Sequence, residues 1–260
     1  MLFRSFLHSS VLQSDGAEPE SRRQLRGNTQ SDRRLATLSP PSPNCATIAE
    51  ATVYIGADSD FAADAIAECD TCNVPNDEKA VAAIQEIFAA VKDVYLDQLC
   101  INLKLSGIDV KTSASNDWYR NVRLSSNVNQ CGGYGSFLYN FAYWLSRWGY
   151  DPSYGKRTVF HLFYGGQTTT PIGCSYIGTA GDWRWGVGVS QASFMGVYSS
   201  SMINKRNLIA HEIGHNFKAS HDSGIMTGYN GAYESFTDYS VNQIQGCVNG
   251  GCYALSLYVH

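Results

Sequence analysis

His211-Glu212-Ile213-Gly214-His215-Asn216-Phe217-Lys218-Ala219-Ser220-His221 holds three of the six histidines of this 260-residue chain. On a helix, residues four apart stand one turn above one another and point the same way, so His211 and His215 can bind a single metal ion. Glu212 projects from the neighbouring part of the helix, close to such an ion but too constrained to be an obvious ligand, where a general base would stand. His221 lies six residues past His215 and would point away on a continuing helix. For it to reach the same ion, the helix must end and the chain must turn back. Three imidazoles and a water would make the open tetrahedral site of catalytic zinc rather than the closed four-ligand site of structural zinc. Such an ion lowers the pKa of its water from about 15.7 toward about 7, and Glu212 would take the remaining proton as that water attacks a carbonyl. The implied reaction is amide hydrolysis.

The approach to this stretch predicts a buried helix. Ser199, Ser200 and Ser201 are candidate N-caps. Met202, Ile203, Leu208, Ile209, Ala210, Ile213 and Phe217 place apolar groups around most of the circumference.

The run HEIGHNFKASHD at residues 211–222 resembles the metzincin pattern H-E-x-x-H-x-x-G-x-x-H. Asp222, directly after the third histidine, resembles the adamalysin or reprolysin branch, the ADAM-type endopeptidases. Ser223-Gly224-Ile225-Met226-Thr227 resembles the tight turn that sets a methionine beneath the metal in that family, and assigns Met226 that place. The resemblance implies a metalloendopeptidase acting on protein or peptide substrates, with one catalytic Zn2+ held by His211, His215 and His221 and with Glu212 as base. Two departures limit what carries over. Lys218 stands where the family has glycine, and a left-handed residue other than glycine costs roughly 1–2 kcal/mol. That is small beside the roughly 10–16 kcal/mol of zinc binding in structural peptide sites, so the site tolerates it. The segment between His221 and Met226 is also shorter than is usual in the ADAM-type branch, and substrate preference is not transferred.

The length suits one large domain or two small ones. From Gln13 to Pro43 the chain is rich in Ser, Arg, Pro, Asp and Glu and lacks aromatic residues, the composition of a disordered tail or a pro-segment remnant. Residues 1–44 are therefore set apart from a catalytic domain over 45–260. The net charge of −4 gives no sign of a nucleic-acid surface, and no apolar run is long enough to span a bilayer. Arg4, His8 and three serines interrupt the apolar stretch from Met1 to Leu12, which makes a poor signal peptide. Arg22-Arg23 and Arg33-Arg34 read as solvated charges ahead of dibasic processing sites, and there is no N-x-S/T sequon. Eight cysteines, Cys45, Cys69, Cys72, Cys100, Cys131, Cys174, Cys247 and Cys252, suit up to four disulfides and an oxidising compartment, extracellular or along the secretory pathway. A bridge from Cys247 or Cys252 back to the body of the domain is expected. Cys69-Asp70-Thr71-Cys72 has CxxC spacing, and a structural disulfide role suits it better than a redox or zinc role.

Ala51 to Ile55 makes a first strand. A helix follows from about Asp77, with Val81, Ile84, Ile87, Phe88, Val91, Val94 and Tyr95 recurring at three and four and Asn76 as N-cap. Ile101, Leu103 and Leu105 alternate with polar neighbours as a strand with one wet face would. A second helix spans about Ser136 to Trp148, ended by Gly149 and Pro152. Thr158 to Tyr164 is a strand covered on both faces, in which His161 reads as a packed core residue. Short strands around Cys174 to Gly178 and Trp185 to Gln191 precede the zinc helix, and a closing helix begins near Phe236, capped by Asp238 or Ser240. This order implies an α/β fold: a mixed, mostly parallel twisted sheet with an antiparallel edge strand, flanked by helices. The metzincin resemblance further implies that the zinc helix lies beneath the sheet, and it places Ile172 to Gly178 at the family's edge strand. Ser175, Tyr176, Ile177 and Gly178 are then candidates for pairing with an extended substrate.

Two other readings remain open. One is a catalytically inactive, zinc-containing protein-binding module of the same fold, with Lys218 distorting the turn or reaching the cleft. The other is a disulfide-stapled surface protein that recognises carbohydrate or protein through its tyrosines and tryptophans. Most of those aromatics fall at core spacing, which ranks this reading last.

Overall fold

The computed structural model describes residues 45, 47–68, 75–128, 131–147, 159–166, 172–182, 184–192, 201–228 and 233–252. The tail expected over 1–44, the Cys69 and Cys72 pair, the candidate caps Ser199 and Ser200, and Trp148, Gly149 and Pro152 lie outside them.

Strand β1 (Ala49–Ala57) is followed by two helices, α1 (Ser59–Glu68) and α2 (Asn76–Leu99), and then β2 (Ile101–Val110). Helices α3 (Trp118–Leu124) and α4 (Phe137–Arg147) lead to β3 (Val159–Tyr164), β4 (Gly173–Ser175) and β5 (Val187–Gln191). Helices α5 (Met202–Asn216) and α6 (Asp238–Gly250) close the described chain. The sheet order is β2-β1-β3-β5-β4. Neighbours pair in parallel except β4, which runs antiparallel to β5 at one edge. This is the mixed, mostly parallel sheet expected. The parallel pairs require crossovers, and the helices that make them cover both faces.

The two faces carry separate cores. On one, Val53, Ile55 and Phe163 of the sheet pack with Phe61 of α1, Ile84, Val91 and Tyr95 of α2, Ile209 and Ile213 of α5 and Ile244 of α6. On the other, Tyr54, Phe160, Leu162, Val187 and Val189 pack with Tyr119 of α3 and Phe137, Phe141 and Leu145 of α4. All six residues of β3 are buried, as a strand sandwiched between helix layers must be. Asp58, at the exit of β1, accepts the main-chain N–H groups of Phe61 and Gly165 and pairs with Arg123 at 2.9 Å, tying α3 to the sheet.

Several local expectations need correcting. The opening order is strand, helix, helix, strand, because α1 is present. Pro75, not Asn76, occupies the N-cap of α2: its ψ of 150° is extended, and its carbonyl accepts the N–H of Lys79 as the first bond of the helix. The cap of α6 is Thr237, whose side chain accepts the N–H of Ser240. Cys247 and Cys252 pair with each other rather than with the body of the domain. Their Cα atoms stand 4.5 Å apart at the end of α6, within bridging range. The other described bridges, Cys45 to Cys100 and Cys131 to Cys174, fasten the entrance of β1 to the end of α2 and the edge strand to the segment before α4. No helix among the described residues is long and apolar enough to cross a membrane.

Candidate metal centre

Helix α5 starts at Ser201, whose hydroxyl accepts the N–H of Asn204, and every residue from Asn207 to Asn216 is buried. Its hold on the core is polar as well as apolar, since the Tyr95 hydroxyl of α2 donates to Ala210 O at 2.9 Å. The helix ends where the sequence demanded a reversal. Lys218 is left-handed with φ 76°, its N–H donates to His215 O at 2.8 Å, and Ala219 N–H donates to Gly214 O at 3.0 Å. These two bonds and the left-handed residue make a Schellman turn, with lysine at the position glycine usually takes.

The reversal brings His221 back to the helix. Its Nε2 lies 3.2 Å from His211 Nε2 and 3.1 Å from His215 Nε2, and the three residues form a group that could hold a metal ion. Their tautomers are set from behind. His211 Nδ1 lies 2.8 Å from Ile225 O and His215 Nδ1 lies 2.7 Å from Ala219 O, so each Nδ1–H donates to a carbonyl and each Nε2 lone pair faces the cluster. Nitrogens at three corners of a tetrahedron with metal–nitrogen bonds of about 2.0–2.1 Å stand about 3.3 Å apart, close to the two separations that His221 makes. Burial holds the His211 imidazole down to about 4, so it is the neutral ligand form at ordinary pH. A third nitrogen from a loop, all three aimed at one point, is a donor set for a borderline-soft cation.

The loop that carries His221 is fastened on both sides. Asp222 N–H donates to Met226 O at 3.0 Å, and Asp222 Oδ2 accepts the hydroxyls of Thr237 and Ser240 at the start of α6. Ser220 N–H donates to Gln243 Oε1 at 2.9 Å. Helix α6 therefore clamps the third histidine's loop as well as packing. Met226 is fully buried and lies directly under the helix, where a Cβ on Gly214 would come within 2.7 Å of its Sδ. The glycine within the motif is thus the space the methionine occupies.

Glu212 is buried against the edge strand. A Cβ on Gly173 would come within 2.9 Å of its Cγ and Cδ and would strike Oε1. Its Oε2 has no hydrogen-bond partner among the described residues, and burial pushes the carboxyl up to about 8. The expected edge segment divides. Gly173 to Ser175 form β4, while Tyr176 and Gly178 cross the end of α5, where Gly178 N–H donates to His215 O and Tyr176 O accepts from Asn216 Nδ2. Asn216, which sequence reasoning overlooked, is fully buried and also donates to Val187 O at 3.0 Å. Its place directly after the second histidine was the available signal. His161 is the buried core residue expected, with Nε2 2.9 Å from Ser190 Oγ.

A buried helix presenting two histidines, a returning loop presenting a third and a methionine beneath make a centre that could hold a metal ion. The sequence model of metallo-peptidase family M12, reprolysin type, matches residues 48–254, and the chain belongs to that family. No curated protein matches it in sequence.

Proposed function

We propose that the chain is a zinc-dependent endopeptidase that hydrolyses peptide bonds in proteins, with His211, His215 and His221 as ligands of one ion and Glu212 as general base. The observation that carries this reading is the convergence of three Nε2 atoms, two of them with tautomers fixed by carbonyls, around one point. Zinc bound there would supply the Lewis acidity that makes water a nucleophile near neutral pH. Glu212 takes the proton from that water on its carboxylate and passes it to the leaving amine. Met226 fixes the helix from below.

The edge of the sheet is the place for substrate. Gln191 N–H donates to Ile172 O, and in an antiparallel ladder such contacts recur every second residue. The main-chain groups of Gly173 and Ser175 therefore face away from β5, toward the open edge, where an extended peptide can pair with them. In this reading Ser175 leads the pairing and Ile177 follows, while Tyr176 and Gly178 fix the segment against α5. Three described disulfides favour an extracellular or secretory-pathway location. Residues 45–260 form the catalytic domain and 1–44 a tail or pro-segment remnant.

Glu212→Ala tests the mechanism: bound zinc is kept and hydrolysis of a quenched peptide falls by about 10² to 10⁴. Activity within a fewfold of wild type removes Glu212 from the chemistry. A wild-type protein that binds zinc and cleaves neither casein nor peptide would instead be the inactive binding module of the same fold.

A further inference from the structure

The sheet face that receives α5 interrupts its apolar pattern in one place. His161 of β3 and Ser175 of β4 both stand opposite Gly188 of β5, so the three project to one face in a single row. Gly188 leaves the middle of that row bare, and a Cβ there would meet both Ser175 Oγ and His161 Nδ1, the latter at 2.8 Å. In the adjoining row Ser190 stands opposite Gly173, and Gly173 leaves the room that Glu212 fills. Two glycines, two serines and a histidine thus make a polar strip under the helix that runs from mid-sheet to Glu212. His161 Nδ1, Ser175 Oγ and Glu212 Oε2 are buried there without a hydrogen-bond partner of good geometry among the described residues. Buried polar atoms in folded proteins are nearly always paired, so three orphans along one strip call for an explanation. Ser175 stands two residues from Gly173 on the same face of β4, beside the room that Glu212 fills.

We propose that Ser190, His161 and Ser175 form a directed hydrogen-bond chain ending on the Glu212 carboxylate, which makes Ser175 and, through it, His161 positioning residues for the glutamate. The proposal rests on the role given to Glu212 above. The direction follows from donor chemistry. A carboxylate only accepts, so the Ser175 hydroxyl donates to it, and the Ser175 oxygen then accepts from His161 Nδ1–H. Burial keeps the ring neutral by holding its pKa down to about 3, so Nε2 carries a lone pair and accepts from the Ser190 hydroxyl. Every proton in the chain points toward the glutamate, and such chains polarise cooperatively. Small side-chain adjustments over the bare Cα of Gly188 close the remaining links. Ser175 also joins two tasks, because its main chain faces the open edge while its hydroxyl faces the base.

Zinc-loaded full-length protein and a quenched peptide provide the first test. Ser175→Ala lowers kcat roughly tenfold, the loss expected for one hydrogen bond to a charged group, with KM and zinc content unchanged; Ser175→Thr restores most of it. His161→Leu lowers kcat by a similar factor, and the double variant is no slower than Ser175→Ala alone, because both act by one route. An unchanged kcat in Ser175→Ala, or additive losses in the double variant, overturns the chain. A second test needs no turnover: nitrogen-15 NMR of the zinc-loaded protein, in which Glu212 is ionised, finds the His161 proton on Nδ1. A proton on Nε2 overturns the chain even in an active enzyme. A wild-type protein without hydrolysis refutes the function and leaves the tautomer to decide the chain.

Discussion

Replacing Gly173 with alanine is the most economical way to disturb Glu212 without touching it. The added methyl would lie 2.9 Å from Glu212 Cγ and Cδ and closer still to Oε1. Carbon atoms in good contact stand about 3.5–4.0 Å apart, so the carboxylate must retreat by about 1 Å. The clash includes Cγ, so turning the end of the side chain does not relieve it. The backbone of Gly173 is not in the left-handed region, which leaves steric crowding as the whole effect. A displacement of that size in a reacting group costs about 100-fold in rate, and overpacking costs about 1–3 kcal/mol of stability. Peptide hydrolysis, zinc content and thermal unfolding should be measured together: kcat falls by about two orders of magnitude, zinc stays bound and Tm drops modestly. Gly246→Ala, where a Cβ meets nothing within 4 Å, is the control and should leave all three unchanged or raise Tm slightly. A Gly173→Ala protein with kcat within twofold of wild type would refute the contact as the determinant of the base's position.

Lys218→Gly relieves a left-handed φ of 76° and should raise stability by about 1 kcal/mol, read as a higher denaturant midpoint; a lower midpoint would mean the lysine side chain is itself a stabilising contact. His161 makes the metal-free protein acid-labile. Its pKa is about 6.5 unfolded and about 3 folded, so stability is intact above 6.5 and is lost as pH falls, by about 3 kcal/mol at pH 4. In His161→Asn this part of the loss is absent, and equal losses between pH 7 and pH 4 in both proteins, by urea denaturation, would contradict it. Chelation should lower Tm and speed amide exchange over residues 218–227 while leaving α5 protected; uniform deprotection would mean that the metal holds the whole helix.

The centre was readable because its logic is local. A four-residue spacing on one helix needs no knowledge of the rest of the chain, and a third histidine six residues on forces a reversal at Lys218. The strand order was readable for a similar reason, since β3 is apolar throughout and α2 repeats at three and four. What escaped was either low in contrast or non-local. Helix α1, Ser-Asp-Phe-Ala-Ala-Asp-Ala-Ile-Ala-Glu, has four alanines among ten residues and only two large apolar side chains, Phe61 and Ile66, too few to show a period. Asn216 acts only because Tyr176 and Val187, 40 and 29 residues earlier, come to the helix end. The clamp of Asp222 on Thr237 and Ser240 likewise joins segments that no spacing rule connects, and Cys247 finds Cys252 because α6 ends between them.

Burial of the three imidazoles is uneven: His215 is enclosed, while His221 is exposed on its loop. Among the described residues the cluster is therefore most open on the side of the loop that carries His221. A small chelator would meet that loop, which Ser220 ties to Gln243 of α6, before it meets the helix behind.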